Sequence, residues 1–293
     1  MSWITIVWSM ASAVCATLAL IHLAIWFHRR SQVVHLLFAL TAFGAAGNAL
    51  GELAMLKATT VEGYATALRV SLVPLVLLVI SMAWYVRSYF GTGRRSLAAA
   101  VTVVWTLILI INTFSPFSPI FSEISGLRIV ETPWGEPFSL AEGVINPLNL
   151  FITIADLTFL VFVADASAAF WRRGQRWRAA FFGLGIVGGS LAAVIVARMI
   201  DFGVLQIPYV TTFVYIGVIV AFGYPLSLDV VQTAQLARQL RASEAELRES
   251  EARISLAVNT ANLGLWVWNI PGGDERWVTE KWRELFVPSI CST

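Results

Sequence analysis

Apolar residues along the chain fall into long blocks, each followed by a short polar segment. Seven blocks reach about 20 residues, the length of helix that crosses about 30 Å of hydrocarbon. Over such runs in lipid, only a helix pairs all of its own backbone groups. The pattern predicts an all-α membrane protein with a bundle of seven transmembrane helices. The blocks run from Ile4 to Phe27, Val33 to Leu56, Ala65 to Phe90, Ser96 to Phe114, Pro147 to Phe170, Ala179 to Ile200 and Val204 to Leu228.

Composition agrees with this interpretation. Of the 293 residues, 58% are hydrophobic and 13% are charged, whereas soluble domains carry roughly 25% charged residues. The formal charge of +2 sums over opposed faces of the bundle, so it does not indicate a nucleic-acid partner. Cys15 and Cys291 lie far apart in sequence, which argues against a disulfide framework or a metal pair. We expect lipid as the main partner, and neither a metal nor a cofactor.

Basic residues predict the orientation, because Arg and Lys concentrate in short cytoplasmic loops. The loops after the first, third and fifth blocks are rich in Arg, whereas the other loops are mainly acidic. We therefore expect the N-terminus outside and everything after Leu228 in the cytoplasm of a bacterial inner membrane. The basic residues of the three loops are Arg29, Arg30, Arg94, Arg95, Arg172, Arg173, Arg176 and Arg178.

After the last block, residues 229–253 lack Gly and Pro and are rich in Ala, Leu, Glu, Arg and Gln. This composition predicts a cytoplasmic linker helix that continues from the seventh span. Apolar or small residues repeat every seven positions, which is typical of a short parallel coiled coil and favours a homodimer. A solvated linker helix remains the alternative. The repeat consists of Leu226, Thr233, Leu240, Leu247 and Ile254, with Leu236, Ser243 and Ser250 between them.

Residues 254–293 begin a different pattern. Leu265 and Val267 alternate with Trp266 and Trp268, and "PGGD" followed by "ERWVT" predicts a turn and a second strand. The letters "GGDE" also match part of the signature loop of diguanylate cyclases. Gly and Asp are what a tight hairpin turn requires, and too few residues follow for a nucleotide-binding domain, so the hairpin is the better interpretation.

Seven spans, a helical linker and then "AVNTANLGLWVWNI…ERWVTEKWRELF" resemble the front end of a bacterial sensor histidine kinase. The resemblance assigns residues 1–228 to a seven-transmembrane sensor domain, with an extracytoplasmic insert between the fourth and fifth spans. It assigns residues 229–253 to a signalling helix and residues 254–293 to the truncated start of an α/β PAS domain. It thus implies the signal-input module of a two-component system; a transporter or ligand-binding membrane protein without signalling output is the alternative.

Kinase chemistry itself is not expected in this chain. The only histidines, His22, His28 and His35, lie in or beside the first two blocks, and none is in a His-Glu phosphoacceptor motif. No Gly-rich nucleotide loop is present. We therefore expect no catalytic residues here. The rest of the PAS domain and the kinase domains would lie beyond Thr293 in a full-length form, and the end "VPSICST" suggests a truncation or frameshift.

Polar residues inside the apolar blocks are the candidates for sensing, because a charge in the membrane costs about 2.5 kcal/mol or more. In and before the fifth block, polar residues spaced by three and four would share one helical stripe, with Asp156 near the midplane. Further polar residues lie near the outer ends of the second, third and sixth blocks. In the sixth block this residue is Arg198, and Asp201 follows it three positions later. A small-molecule pocket or plain interhelical hydrogen bonding would both explain them. The candidates are Asn48, Glu52, Arg69, Glu142, Asn146, Asn149, Asp156 and Arg198.

Other functions of seven-helix membrane proteins require particular residues or features. A retinal protein needs a Lys in the seventh helix, and that block has none. A b-type haem needs two facing histidines; His22 and His35 are the pair at similar depth, although such histidines more often form hydrogen bonds. A transporter would favour broken helices and internal repeats, which are not evident.

Overall fold

The computed structural model describes residues 2–115, 117–132, 134–174, 176, 180–261, 266–269 and 274–277. The chain divides into two units, Met1–Pro225 and Leu226–Thr293, which are described in turn. In chain order the α-helices are α1 Trp3–His28, α2 Val33–Leu56, α3 Val61–Phe90, α4 Arg95–Phe114, α5 Asn149–Arg172, α6 Gly189–Asp201 and α7 Thr211–Thr260. A π-helix, Phe181–Gly188, leads directly into α6.

Six helices of the described part, α1 to α5 and α7, are long and apolar enough to cross a membrane. Two of them begin with a side-chain N-cap: at the start of α1, Ser2 Oγ accepts from the Thr5 amide at 3.3 Å, and at the start of α3, Thr60 Oγ1 accepts from the Gly63 amide at 3.1 Å. Exposed Val, Leu and Ile side chains cover their outer faces, as lipid contact requires. The coarse prediction of a mainly helical chain with several membrane-length apolar helices is confirmed.

The predicted boundaries of the last two blocks differ from the structure. Ala179–Ile200 was expected as one α-helix, but Phe181–Gly188 is π-helical, and the α-helix that follows runs from Gly189 to Asp201. The seventh helix begins at Thr211 rather than near Val204. Hydropathy identifies apolar runs, but it does not distinguish an α-helix from a π-helix. A loop precedes α7 because Gly203 adopts a φ of 72° and Pro208 disfavours helix at the residue before it.

Small residues on α2 allow a close contact with α3. Gly44 and Gly51 lie seven residues apart and face α3. A Cβ on Gly44 would lie 2.7 Å from the backbone nitrogen of Leu78, and one on Gly51 would collide with Ser71. Buried alanines continue this narrow face of α2, among them Ala45 and Ala49. The two backbones can therefore approach as in small-xxx-small membrane pairs.

Between α4 and α5 the chain forms an antiparallel hairpin, β1 Phe121–Glu131 and β2 Pro137–Ile145. Its register runs from Phe121 opposite Ile145 to Glu131 opposite Pro137, with two irregularities in the first half of β1. The insert was expected from the sequence, but its strands were not. Register shifts break the polar–apolar alternation that would have indicated them.

The hairpin packs on the ends of four elements of the bundle. Phe138 and Leu140 of β2 cluster with residues of α1 and α2 and with Ile200 and Tyr209. Phe121 of β1 and its neighbour Ile124 cluster with residues of α2 and α3. The hairpin therefore covers one end of the bundle and shares a hydrophobic core with it.

A polar link fixes the hairpin turn to the start of α1. Glu136 accepts hydrogen bonds from the Ile4 amide at 3.1 Å and from Lys57 Nζ at 3.3 Å. Desolvation by itself raises the pKa of Glu136, but hydrogen bonds from Ile4, Trp134 and Lys57, with the Lys57 charge, outweigh it. The pKa of Glu136 is therefore lowered below its ordinary value, which favours the ionised, linked form.

In the second unit, the helical segment that follows Leu226 ends at Thr260. Its apolar heptad residues Leu236, Leu240, Leu247 and Ile254 are 54–65% exposed. Strands β3 Trp266–Asn269 and β4 Asp274–Trp277 pair antiparallel, with Trp266 opposite Trp277. The predicted linker helix and terminal hairpin are thus present. The predicted turn residues Gly272 and Gly273, and the short helix expected after the hairpin, lie outside the described residues.

Candidate ligand-binding cavity

A cavity of about 150 Å³ lies inside the first unit. Its wall is formed by side chains of α2, α3, α4, α5, α6 and α7 and by residues 118–120, just before β1. Most of the wall is apolar, including Leu72, Trp105 and Phe159, but charged groups from α2, α5 and α6 meet within it. An apolar chamber with a few convergent polar groups is the usual form of a small-molecule site.

Arg198 of α6 is the centre of the charged part. Its Nη2 lies 3.3 Å from Asp156 Oδ2, and its Nη1 lies 3.4 Å from Asp201 Oδ2. The same Nη1 donates to Asn149 Oδ1 at 2.5 Å. Asn149 and Asp156 are two turns apart on one face of α5, so both reach the same guanidinium. The arrangement joins α5 to α6 through one cation and two carboxylates.

Glu52 of α2 is a second, separate carboxylate, and it is 3% exposed. Its Oε2 accepts from Trp8 Nε1 at 3.0 Å and from Thr212 Oγ1 at 2.7 Å. Its Oε1 accepts from Asn48 Nδ2 at 3.1 Å. All three donors are neutral, and within the described ranges Glu52 forms no ion pair. Glu52 therefore ties α1, α2 and α7 together without a compensating positive charge.

Tyr209, in the loop between α6 and α7, connects the cavity to the hairpin. Its hydroxyl donates to Asp201 Oδ1 at 2.8 Å, while its ring packs in the cluster with Phe138 and Leu140. Burial, and then the nearby Asp201 carboxylate, raise the pKa of Tyr209 well above its usual value. Tyr209 therefore stays neutral and serves as a hydrogen-bond donor.

Four buried polar atoms on cavity-lining residues have no hydrogen-bond partner in the described part of the chain: Trp105 Nε1, Asn112 Oδ1, Ser190 Oγ and Arg198 Nε. Buried polar groups are normally paired, because an unpaired one costs roughly 1–3 kcal/mol. All four atoms belong to residues that line the chamber, and each is left without a partner in its wall.

The segment that leads into the hairpin is held by its own hydrogen bonds. Ser118 Oγ accepts from the amides of Ile120 and Phe121, each at 3.1 Å. Asn146 Nδ2 donates to the Ser118 carbonyl at 3.2 Å, and its amide donates to the Ile120 carbonyl at 2.8 Å. Asn146 thus positions the residues that complete the cavity wall, although it does not line the cavity itself.

Predicted site residues fall into three groups. Asn48, Glu52, Asp156 and Arg198 line the cavity, and Asn149 contacts Arg198. Asn146 is a positioning residue, as described above. Arg69 and Glu142 lie elsewhere: Arg69 Nη2 donates to the Thr113 carbonyl at 3.4 Å, and Glu142 pairs with Arg128 across the hairpin.

The helical stripe predicted from Glu142 to Asp156 is wrong in its first half. Glu142 belongs to β2, and Asn146 lies before α5 begins at Asn149. Pro147 separates the two patterns, and Asn146 Oδ1 accepts from the Leu148 amide at 3.0 Å, which forms a turn there. Residues spaced by three and four share a face only within one helix, so this spacing does not apply across the end of β2.

Sequence reasoning missed Trp105, Asn112, Ser190, Tyr209 and Tyr215, all of which line the cavity. Asn112 could have been found by the rule already used for polar residues in apolar blocks. Trp and Tyr are ordinary in membrane helices, so nothing in their pattern separates wall residues from core residues.

His22 and His35 form a second polar cluster, away from the cavity. Their Nδ1 atoms are 2.9 Å apart, and both side chains are buried. The predicted proximity of the pair is therefore confirmed. The distance is that of a direct hydrogen bond, whereas ligands on opposite sides of one metal ion would be about 4 Å apart at the usual bond length of about 2 Å. This geometry does not fit a haem held between the two rings.

The fold and the cavity have the character of a helical membrane protein with a mostly apolar chamber that holds a few charged groups. A search of protein-family models gave no match to the chain, and a search of curated proteins gave none.

Proposed function

We propose that this chain is the signal-input module of a two-component sensor histidine kinase, and that the cavity is its sensing site. The observation that carries the proposal is the chamber in which Glu52, Asp156 and Arg198 meet inside a membrane-type helical bundle. Buried charges in such a bundle are expensive and are usually functional. No catalytic step is assigned to the chain itself; phosphotransfer would belong to kinase domains joined to the linker helix.

In this proposal the bundle has seven spans, with the N-terminus outside and the linker helix in the cytoplasm of a bacterial plasma membrane. Besides the six long helices, the π-helix together with α6 supplies the remaining span, the sixth in chain order, because the two jointly reach about the 20 residues that a span needs. Labelling with a membrane-impermeant maleimide tests the orientation: in a background without native cysteines, Ser125→Cys in β1 should react on intact cells. Ser243→Cys should react only after lysis, and the reverse result would invert the topology.

Helix α7 is the proposed output element. Its first turns supply Thr211 and Tyr215 to the cavity wall and Thr212 to Glu52. The same helix carries the exposed heptad leucines, which suit a two-stranded parallel coiled coil. A ligand that favours one of two packings of the bundle would shift α7, and a dimeric linker would pass that shift to a kinase.

A chimaera tests the proposal without knowledge of the ligand. The linker helix would be joined, in heptad phase with Ile254, to the phosphoacceptor and ATP-binding domains of a histidine kinase. Autophosphorylation would then be measured in membrane vesicles. Asp156→Asn and Glu52→Gln should change the basal rate by about fivefold or more, since about 1 kcal/mol between two packings has roughly that effect.

The matched control is Glu142→Gln, a carboxylate-to-amide change in the hairpin that lies outside the cavity wall and should leave the rate unchanged. Equal rates for all variants, with equal amounts of inserted protein, would contradict a signalling role. The remaining assignment would then be a transporter or ligand-binding membrane protein without signalling output.

A further inference from the structure

We propose that the cavity binds a small organic amine, a protonated nitrogen on a compact apolar body that also carries a hydrogen-bond acceptor. This inference rests on the proposed sensing role, and it names the class of ligand. It follows from the charge balance of the wall, from the unpartnered polar atoms and from the size of the chamber.

The charge balance favours a cation. Three carboxylates, those of Glu52, Asp156 and Asp201, belong to the wall, and Arg198 is the cation that contacts two of them. Both terminal nitrogens of Arg198 are already engaged, which leaves only its Nε for an acceptor on the guest, and an anion would also face the three carboxylates. A bound ammonium group would compensate a buried carboxylate that has only neutral donors around it.

The unpartnered atoms describe the rest of the ligand. Asn112 Oδ1 is an acceptor and suits an N–H group of the amine. Trp105 Nε1 and Arg198 Nε are donors, and both require an acceptor on the guest molecule. Trp105 and Asn112 are 2% and 5% exposed, so bulk water does not satisfy these atoms.

The size and lining of the chamber favour an organic amine over a bare metal ion. A dry cavity of about 150 Å³ accepts a molecule of the size of benzene. Leu72, Leu75 and Phe159 would contact the apolar body of such a guest. In the part of the chain that the structure describes, no group of three or more His, Cys, Asp or Glu side chains is arranged to hold a metal ion.

Three probes of nearly equal size and different charge test the inference: benzylamine, benzyl alcohol and benzoate. Binding to the full chain would be measured by titration calorimetry and thermal unfolding in nanodiscs of phosphatidylcholine, with empty nanodiscs as the baseline. Benzylamine should bind about tenfold or more tightly than either other probe, because hydrogen bonds to a charged group are the stronger ones. Tighter binding of benzoate, equal binding of all three, or no binding at all would each overturn the amine assignment.

Variants locate the site. Glu52→Gln and Asp156→Asn should each weaken benzylamine binding about tenfold, whereas Asp165→Asn, on α5 but outside the cavity, should leave it unchanged. If a charge variant does not fold, Ala193→Leu supplies the test, since it fills the chamber and keeps every carboxylate. Benzylamine binding that survives Ala193→Leu would refute the site.

The two proposals fail in different ways. If Asp156→Asn changes the autophosphorylation rate of the chimaera but benzylamine binds weakly, the sensing role is supported and the amine is rejected as the class of ligand. Selective benzylamine binding with a silent chimaera would keep the amine site and reject the signalling role.

Discussion

Replacing Arg198 with Met tests how much the charged cluster contributes to the bundle. The change keeps a long apolar side chain but removes the only cation in contact with Asp156 and Asp201 among the described residues. It also removes the hydrogen bond to Asn149. The α5–α6 contact then loses its central group, while two carboxylates stay buried without compensation.

The expected cost follows from the two ion-pair distances, 3.3 and 3.4 Å. At an effective dielectric constant of about 20, each contact contributes about 5 kcal/mol of attraction, much of which desolvation offsets. Breaking a buried pair by removing one partner costs about 3–5 kcal/mol, because the charge left behind has no partner. The double variant Arg198→Met/Asp156→Asn should recover about 1–2 kcal/mol of this loss, since it also removes one stranded charge.

Unfolding in mixed detergent micelles, titrated with dodecyl sulfate and followed by circular dichroism, would measure these free energies. Arg94→Met is the matched control. Arg94 also pairs with an aspartate, Asp165, but its side chain is 71% exposed, so its loss should cost at most about 1 kcal/mol. An Arg198→Met cost no larger than that of Arg94→Met, or a double variant with strictly additive losses, would refute the reasoning.

Three further predictions concern other parts of the chain. Gly44→Ala should destabilise the bundle by about 1–3 kcal/mol in the same assay, because the methyl group overlaps the α3 backbone, whereas Gly217→Ala, with open space around it, should be neutral or slightly stabilising. The pKa of Glu136 is lowered in the folded state, so the ionised carboxylate stabilises the fold above the unfolded pKa of about 4.3, and this stabilisation is lost as the pH falls through the folded pKa. In the wild type, hydrogen-exchange protection at the start of α1 should therefore fall as the pH is lowered through these two pKa values. In Glu136→Gln the protection should be low at every pH. Leu247→Cys, without the native cysteines, should form disulfide-linked dimers faster than Ala245→Cys, and equal rates would argue against the coiled coil.

Sequence reasoning predicted the helices well for a simple physical reason. A span of about 20 apolar residues has few alternatives in lipid, so α1 to α5 lie close to their predicted blocks. The hairpin was missed because its irregular register hides the two-residue period, and because its apolar side chains pack on helices that are distant in sequence. A strand defined by tertiary contacts leaves a weak local signal.

The site was predicted in part, again for a physical reason. Placing a charged residue in an apolar block costs free energy whichever way its side chain points, so this criterion was enough to identify Glu52, Asp156 and Arg198. Which face of a helix points inward depends on its neighbours, and so Trp105 and Tyr215 could not be separated from lipid-facing or core aromatics. Glu142 was misplaced because a helical period was extended past Pro147 into a strand.

The hairpin has a consequence for the order of events during biosynthesis. Phe138 and Leu140 complete their cluster with Ile200 and Tyr209, which leave the ribosome later and belong to elements beyond α5. A two-stranded hairpin is marginal in water by itself. While α5 and α6 are being synthesised, the apolar side of the hairpin therefore lacks its final contacts. The hairpin that covers this end of the bundle is then among its last parts to become stable, and a chain stalled before Tyr209 would expose the apolar side of the hairpin to proteases.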